Sequence, residues 1–131
     1  MLDRLNQLEM NIHELRVFHE KTSLSEIKDS IQNQWILRYG LFESIQIVID
    51  VSCHLVSKYN LGSPKTYAEC VDLLYKFEYI DKELAGKLSS MVGLRNILIH
   101  EYVTIDVERL HDLLGNIDDF ADFAKAIKDY L

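Results

Sequence analysis

A chain of 131 residues makes one domain, residues 1–131, and a domain of that size buries roughly two-thirds of the surface its unfolded chain exposes. Hydrophobic residues at 48%, charged residues at 27%, five glycines and a single proline exclude a disordered or fibrous chain, and the lone proline favours long helices. A formal net charge of -7 excludes the broad basic face of a general nucleic-acid binder, so any RNA contact has to be local.

From Leu2 to about Lys21, Leu2, Leu5, Leu8, Ile12, Leu15 and Phe18 recur at steps of three and four, which predicts an amphipathic first helix. Thr22 and Ser23 interrupt it, and Ser23 with Glu26 has the capping-box spacing that opens a second helix. That helix is predicted to run from Leu24 to about Lys58, with only Gly40 resembling a breaker. Ile27, Ile31, Trp35, Phe42, Ile45, Ile49 and Val56 form one apolar face, and Leu41, Ile47, Val48, Val51 and Leu55 add another, so its middle is expected to be buried on more than one side. A polar line at Glu43, Gln46, Asp50 and His54 runs through it. Two accounts are open: a solvated edge of the bundle, or partners for buried polar groups elsewhere, such as Arg95.

Asn60, Gly62, Ser63 and Pro64 mark the clearest turn in the chain. Thr66 and Glu69 repeat the capping-box spacing before a short third helix to about Phe77, and Asp81 is placed to cap a fourth. A turn at Thr104 to Asp106 precedes a fifth helix from about Val107 to Tyr130, with Leu110, Leu113, Leu114, Ile117, Phe120, Phe123, Ala124 and Ile127 facing inward. From Asp106 to Asp129 there are seven acidic residues against three basic, a net of -4, which repels a phosphate backbone and suits a basic protein partner. The expectation is an all-α antiparallel bundle of about five helices.

Cys53 and Cys70 lack a metal-ligand spacing and read as free, buried thiols of a reducing, cytoplasmic compartment. No run approaches the roughly 18 apolar residues of a membrane span, and the N-terminus lacks a signal pattern, so no membrane association or export is expected.

The chemistry concentrates in Met91-Val-Gly-Leu-Arg-Asn-Ile-Leu-Ile-His-Glu-Tyr102, where Arg95, Asn96, His100 and Tyr102 punctuate an apolar segment. Arg95 brings a permanent positive charge on a donor fork, and His100 a group that gives and takes protons near neutral pH. On a straight helix Arg95 and Tyr102 share a face with Leu84, Leu88, Met91 and Leu98, so Arg95 interrupts an apolar stripe and needs a carboxylate, a phosphate or an open cleft. Asn96 and His100 lie on a flank roughly 100° to 140° away. They converge on one atom if the helix loosens before His100, or if two copies of the chain meet in an isologous dimer; the second arrangement is expected. The apolar surround of the second helix suits a buried dimer face. His13, His19, His54 and His111 are read as surface groups, and Trp35 and the tyrosines at 39, 67, 75 and 79 as packing residues, because no basic residues interleave with them.

Arg95-Asn96-x-x-x-His100-x-Tyr102 resembles the Arg-x4-6-His motif, with its following tyrosine, of the HEPN superfamily, in particular the HepT-like toxins of HepT–MntA toxin–antitoxin systems. The resemblance extends from the long helix around Arg38 to Asp50, through the Gly-Ser-Pro turn, to the closing helix. It implies a HEPN-like homodimer acting as a metal-independent endoribonuclease on RNA (tRNA or mRNA). By the resemblance Arg95 holds the scissile phosphate, His100 is general acid or base, and Asn96 orients the phosphate or His100. Tyr102 is the implied acceptor of AMP from an MntA-like nucleotidyltransferase antitoxin. No cofactor is expected, and no HExxH or cysteine-pair signature points to a metal. The competing reading is a non-catalytic subunit that binds a nucleotide or docks a nucleotidyltransferase.

Overall fold

A computed structural model describes residues 1–99 and 106–131. His100 and Tyr102 lie outside the described residues.

The helices are α1 (Leu2–Lys21), α2 (Leu24–Asp29), α3 (Ile31–Lys58), α4 (Tyr67–Lys76), α5 (Lys82–Ile99), α6 (Val107–Leu114) and α7 (Asp118–Ile127), with a closing 3-10 turn at Lys128–Tyr130. Helix α3 is the axis of the bundle and packs against every other helix. The all-α expectation holds, and the expected second and fifth helices each divide in two. Ser30 makes the first break: its backbone is extended, and its hydroxyl accepts from the Asn33 N–H to begin α3. Side-chain capping at Ser30 satisfies the new helix end, so the break needs no glycine or proline. The second break falls at Gly115–Ile117, between α6 and α7.

Ser23 and Glu26 form the reciprocal capping box, Thr66 caps α4, and Asp81 accepts from the Leu84 N–H at 2.8 Å to cap α5. Gly40 does not break α3. A Cβ there would come within 2.8 Å of the Leu15 side chain, so the missing side chain lets α1 lie close against α3.

The core runs through α1 at Leu5, Leu8, Ile12 and Leu15, along α3 from Leu37 to Val56, and closes on Phe120, Phe123 and Ile127 of α7. Between Leu41 and Val56, α3 is buried on nearly every side within a single copy of the chain. The apolar surround read as a dimer face is therefore internal packing. The start of α3 is the reverse: Ile31 and Trp35, expected to face inward, are 66% and 65% exposed, and Tyr39 is 65% exposed. By length and composition α3 could also cross a membrane, but 56% of that stretch is buried inside the bundle. Such burial is the signature of a core helix.

Cys53 of α3 and Cys70 of α4 form a disulfide, with their Cα atoms 5.1 Å apart. This corrects the expectation of free thiols. The packing of α4 on α3 brings two residues separated by 17 positions into bridging range, which no local spacing rule reveals. The compartment argument built on free thiols falls with it.

Candidate active site

Along α5, Leu84, Leu88, Met91 and Leu98 are buried as the spacing predicts, and Ala85 and Leu94 join them, which widens the stripe. Arg95 sits at the edge of that stripe, half-buried, and its donor fork is met by polar neighbours. Its Nε donates to Gln46 Oε1, and its Nη1 donates to Asn96 Oδ1 at 3.1 Å. The guanidinium also lies 5.8 Å from the Phe42 ring centroid and 5.3 Å from that of Tyr67. Aromatic faces attract a cation without supplying a counter-charge.

The Gln46 amide donates in turn to Asp50 Oδ1 at 2.8 Å, and Asp50 Oδ2 accepts from Arg4 Nη2 at 2.7 Å. A chain of side chains thus links α1, α3 and α5: Arg4, Asp50, Gln46, Arg95, Asn96. Of the two accounts of the polar line, Gln46 and Asp50 are partners of groups on other helices. Glu43, one turn earlier, accepts from Tyr39 at 2.6 Å and from Asn11 at 2.9 Å. Those bonds favour its charged form, the Tyr39 hydroxyl foremost, and hold its carboxyl below the usual range.

The order of these partners has an electrostatic consequence. The acceptor touching Arg95 is a neutral amide, while the carboxylate behind it is neutralised by Arg4. Among the described residues Arg95 is therefore oriented without a carboxylate partner, which leaves its charge to an incoming anion. Asn96 is exposed and turned toward Arg95, closer than the straight-helix projection suggested. Arg38 donates from Nη2 to the Leu98 carbonyl at 3.3 Å and so ties the end of α5 to α3, just before the segment that carries His100.

Arg4, Phe42 and Tyr67 escaped the sequence reading. Tyr67, read as a packing residue, is 51% exposed and lies beside Arg95. Nothing in the spacing of residues 28 positions apart could join it to the motif. His19 and His111 meet edge to face at 5.4 Å, away from the motif. Among the described residues no group of three or more His, Cys, Asp or Glu is placed to hold a metal ion.

The model of the family described as ribonuclease HepT-like matches residues 8–127. The chain belongs to the ribonuclease HepT-like family. It is 30% identical over 129 residues to a tRNA nuclease HepT of Aphanizomenon flos-aquae, covering 98% of this chain and 87% of that protein. It is 29% identical over 105 residues to an mRNA nuclease HepT of Shewanella oneidensis, covering 79% of each. The fold matches that of a tri-AMPylated HEPN toxin of Shewanella oneidensis, solved in complex with an MNT antitoxin. That match has a TM-score of 0.88 at 23% identity and covers 97% of this chain and 95% of the other.

Proposed function

We propose that the chain is the ribonuclease toxin of a toxin–antitoxin pair and cuts RNA by attack of a ribose 2′-hydroxyl on its own phosphate. A general base takes the hydroxyl proton, O2′ bonds to phosphorus, the P–O5′ bond breaks, and a general acid protonates the leaving 5′ oxygen. His100 serves as base or acid. Arg95 binds the phosphate and stabilises the charge that grows on its oxygens, a contribution that preorganised donors make most effectively. Asn96, bonded to Arg95, fixes the direction of the donor fork. The observation that carries this reading is Arg95 oriented by the neutral amides of Gln46 and Asn96, with no carboxylate partner among the described residues, in a chain of HepT-like sequence.

Two copies of the chain form the working enzyme. The exposed start of α3 supports this: Ile31, Trp35 and Tyr39 stand in one row at helical spacing, and Ile36 and Tyr39 line an apolar groove of about 470 Å³ with Leu15, Val17 and Phe18. An MntA-like nucleotidyltransferase transfers AMP to Tyr102, and the added bulk and negative charge beside Arg95 and His100 displace substrate phosphate. Cytoplasmic placement follows from a tRNA or mRNA substrate.

Induced expression tests the reading. Growth arrest and RNA cleavage are expected from the native chain and are lost in Arg95→Ala and His100→Ala. Equal toxicity of all three proteins would leave the docking-subunit reading in its place. Incubation with the nucleotidyltransferase and ATP should add AMP, read by mass spectrometry, and Tyr102→Phe should abolish the addition.

A further inference from the structure

Two aromatic rings lie close to the Arg95 guanidinium, and they differ in exposure. Phe42 is half-buried within α3 and serves as packing. Tyr67, the first residue of α4, is exposed, and it forms part of the wall of a cleft of about 420 Å³ with Cys53, Pro64, Lys65, Thr66 and Cys70. A ring whose task was only to cover the arginine would be enclosed by neighbours; this one is half open to solvent.

Its position is well secured. Thr66 Oγ1 accepts from the Glu69 N–H at 3.2 Å, and the Glu69 carboxylate accepts from the Lys65 N–H, so both residues before Tyr67 are pinned. One turn further on, Cys70 is bonded to Cys53 of α3. The Lys65 ammonium is exposed and makes no ion pair among the described residues. Tyr67 therefore joins two features: its ring lies beside the Arg95 guanidinium, and it forms a wall of the cleft that Lys65 also lines. This is the alternation of charge and ring that single-stranded RNA requires.

We propose that Tyr67 is the stacking platform for a base next to the scissile phosphate, and that Lys65 takes the backbone phosphate beyond that base. The inference rests on the ribonuclease reading of the Arg95 site and adds a subsite to it. Every base has a π-face, so the platform adds affinity without base identity, and it acts through KM more than kcat. The net charge of -7 leaves no broad field to hold the strand, which makes one ring and one lysine important.

A coupling experiment decides the matter. Binding of a fluorescein-labelled uridine hexamer is measured in a His100→Ala background, so that the strand is not cut, with hexamers carrying a single abasic ribonucleotide at each position in turn. Tyr67→Leu is expected to weaken binding of the intact hexamer about tenfold, as loss of one stacked base does. One abasic position should cost the protein with Tyr67 the same factor and cost the Tyr67→Leu variant nothing. Tyr67→Phe and Tyr67→Trp should keep the affinity. Lys65→Ala should weaken all hexamers alike and lower the salt dependence. If every abasic position costs the protein with Tyr67 and the Tyr67→Leu variant equally, the platform is overturned while cleavage by the native chain persists. If the native chain neither binds nor cuts RNA, the ribonuclease reading fails first.

Discussion

The first third of α3, like its middle, carries large apolar residues at helical spacing, yet the fold treats the two oppositely. From Leu41 to Val56 the helix is enclosed by its neighbours, and that enclosure lets half-buried Gln46 and Asp50 act as a rigid ladder to Arg95. Before Leu41 only Leu37 turns into the core, while Ile31, Trp35, Ile36 and Tyr39 face outward, and among the described residues only Tyr39 of these is tied, through Glu43. Apolar density in a helix therefore says that something covers it, without saying whether the cover is the same chain or a second copy.

The largest effect belongs to the enclosed part. Leu41→Ala should cost about 2–5 kcal/mol, read by denaturant unfolding, because a fully buried leucine leaves a cavity the bundle cannot close. A loss below about 1 kcal/mol would mean that α3 is not the enclosed axis described above. Next comes the link from that part to α4. Reduction with a dithiol, or the pair Cys53→Ser and Cys70→Ser, should remove about 3 kcal/mol, the loop-closure value for a separation of 17.

Gln46 tests the ladder itself. Gln46→Glu should neutralise Arg95 and lower kcat/KM for RNA about tenfold, roughly 1.4 kcal/mol in the transition state, with a smaller loss for Gln46→Leu. Should Gln46→Glu cleave as well as the native chain, the neutral acceptor has no electrostatic role. Glu43 sits where the two parts of α3 meet. Its carboxyl is held below the usual range in the fold, so its contribution is present above the ordinary carboxylate pKa and is lost as pH falls through the lowered value. Unfolding followed against pH should show a shallower acid limb in Glu43→Gln. For the exposed third the expected change in fold stability is the smallest: Trp35→Ala should lie within about 0.5 kcal/mol of the native chain, while sedimentation shows dimer shifting to monomer. A large stability loss with unchanged mass would place the cover of Trp35 within its own chain.

Much of this fold was legible because it is written locally. Helical spacing set α1 and the buried stripe of α5, and side-chain caps at Ser23, Thr66 and Asp81 marked three helix starts. Ser30 uses the same chemistry and was passed over, since the apolar periodicity runs on through it and no breaker stands beside it. The site was legible to the extent that it lies on one helix, through Arg95 and Asn96, and in the polar line that contains Gln46. Arg4 and Tyr67 reach Arg95 only through tertiary packing, as do Cys53 and Cys70 each other, and no periodicity carries that information.

The neutral contact between Gln46 and Arg95 also bears on ionic strength. A nuclease with a basic face releases many counterions from its substrate and loses its grip steeply as salt rises. Here Arg95 and Lys65 would displace about two, for a slope of log affinity against log salt of about -1.4 on a single strand. On the ribonuclease reading, a fourfold rise in salt would cost such an enzyme only about sevenfold in affinity, so the medium does little to restrain it.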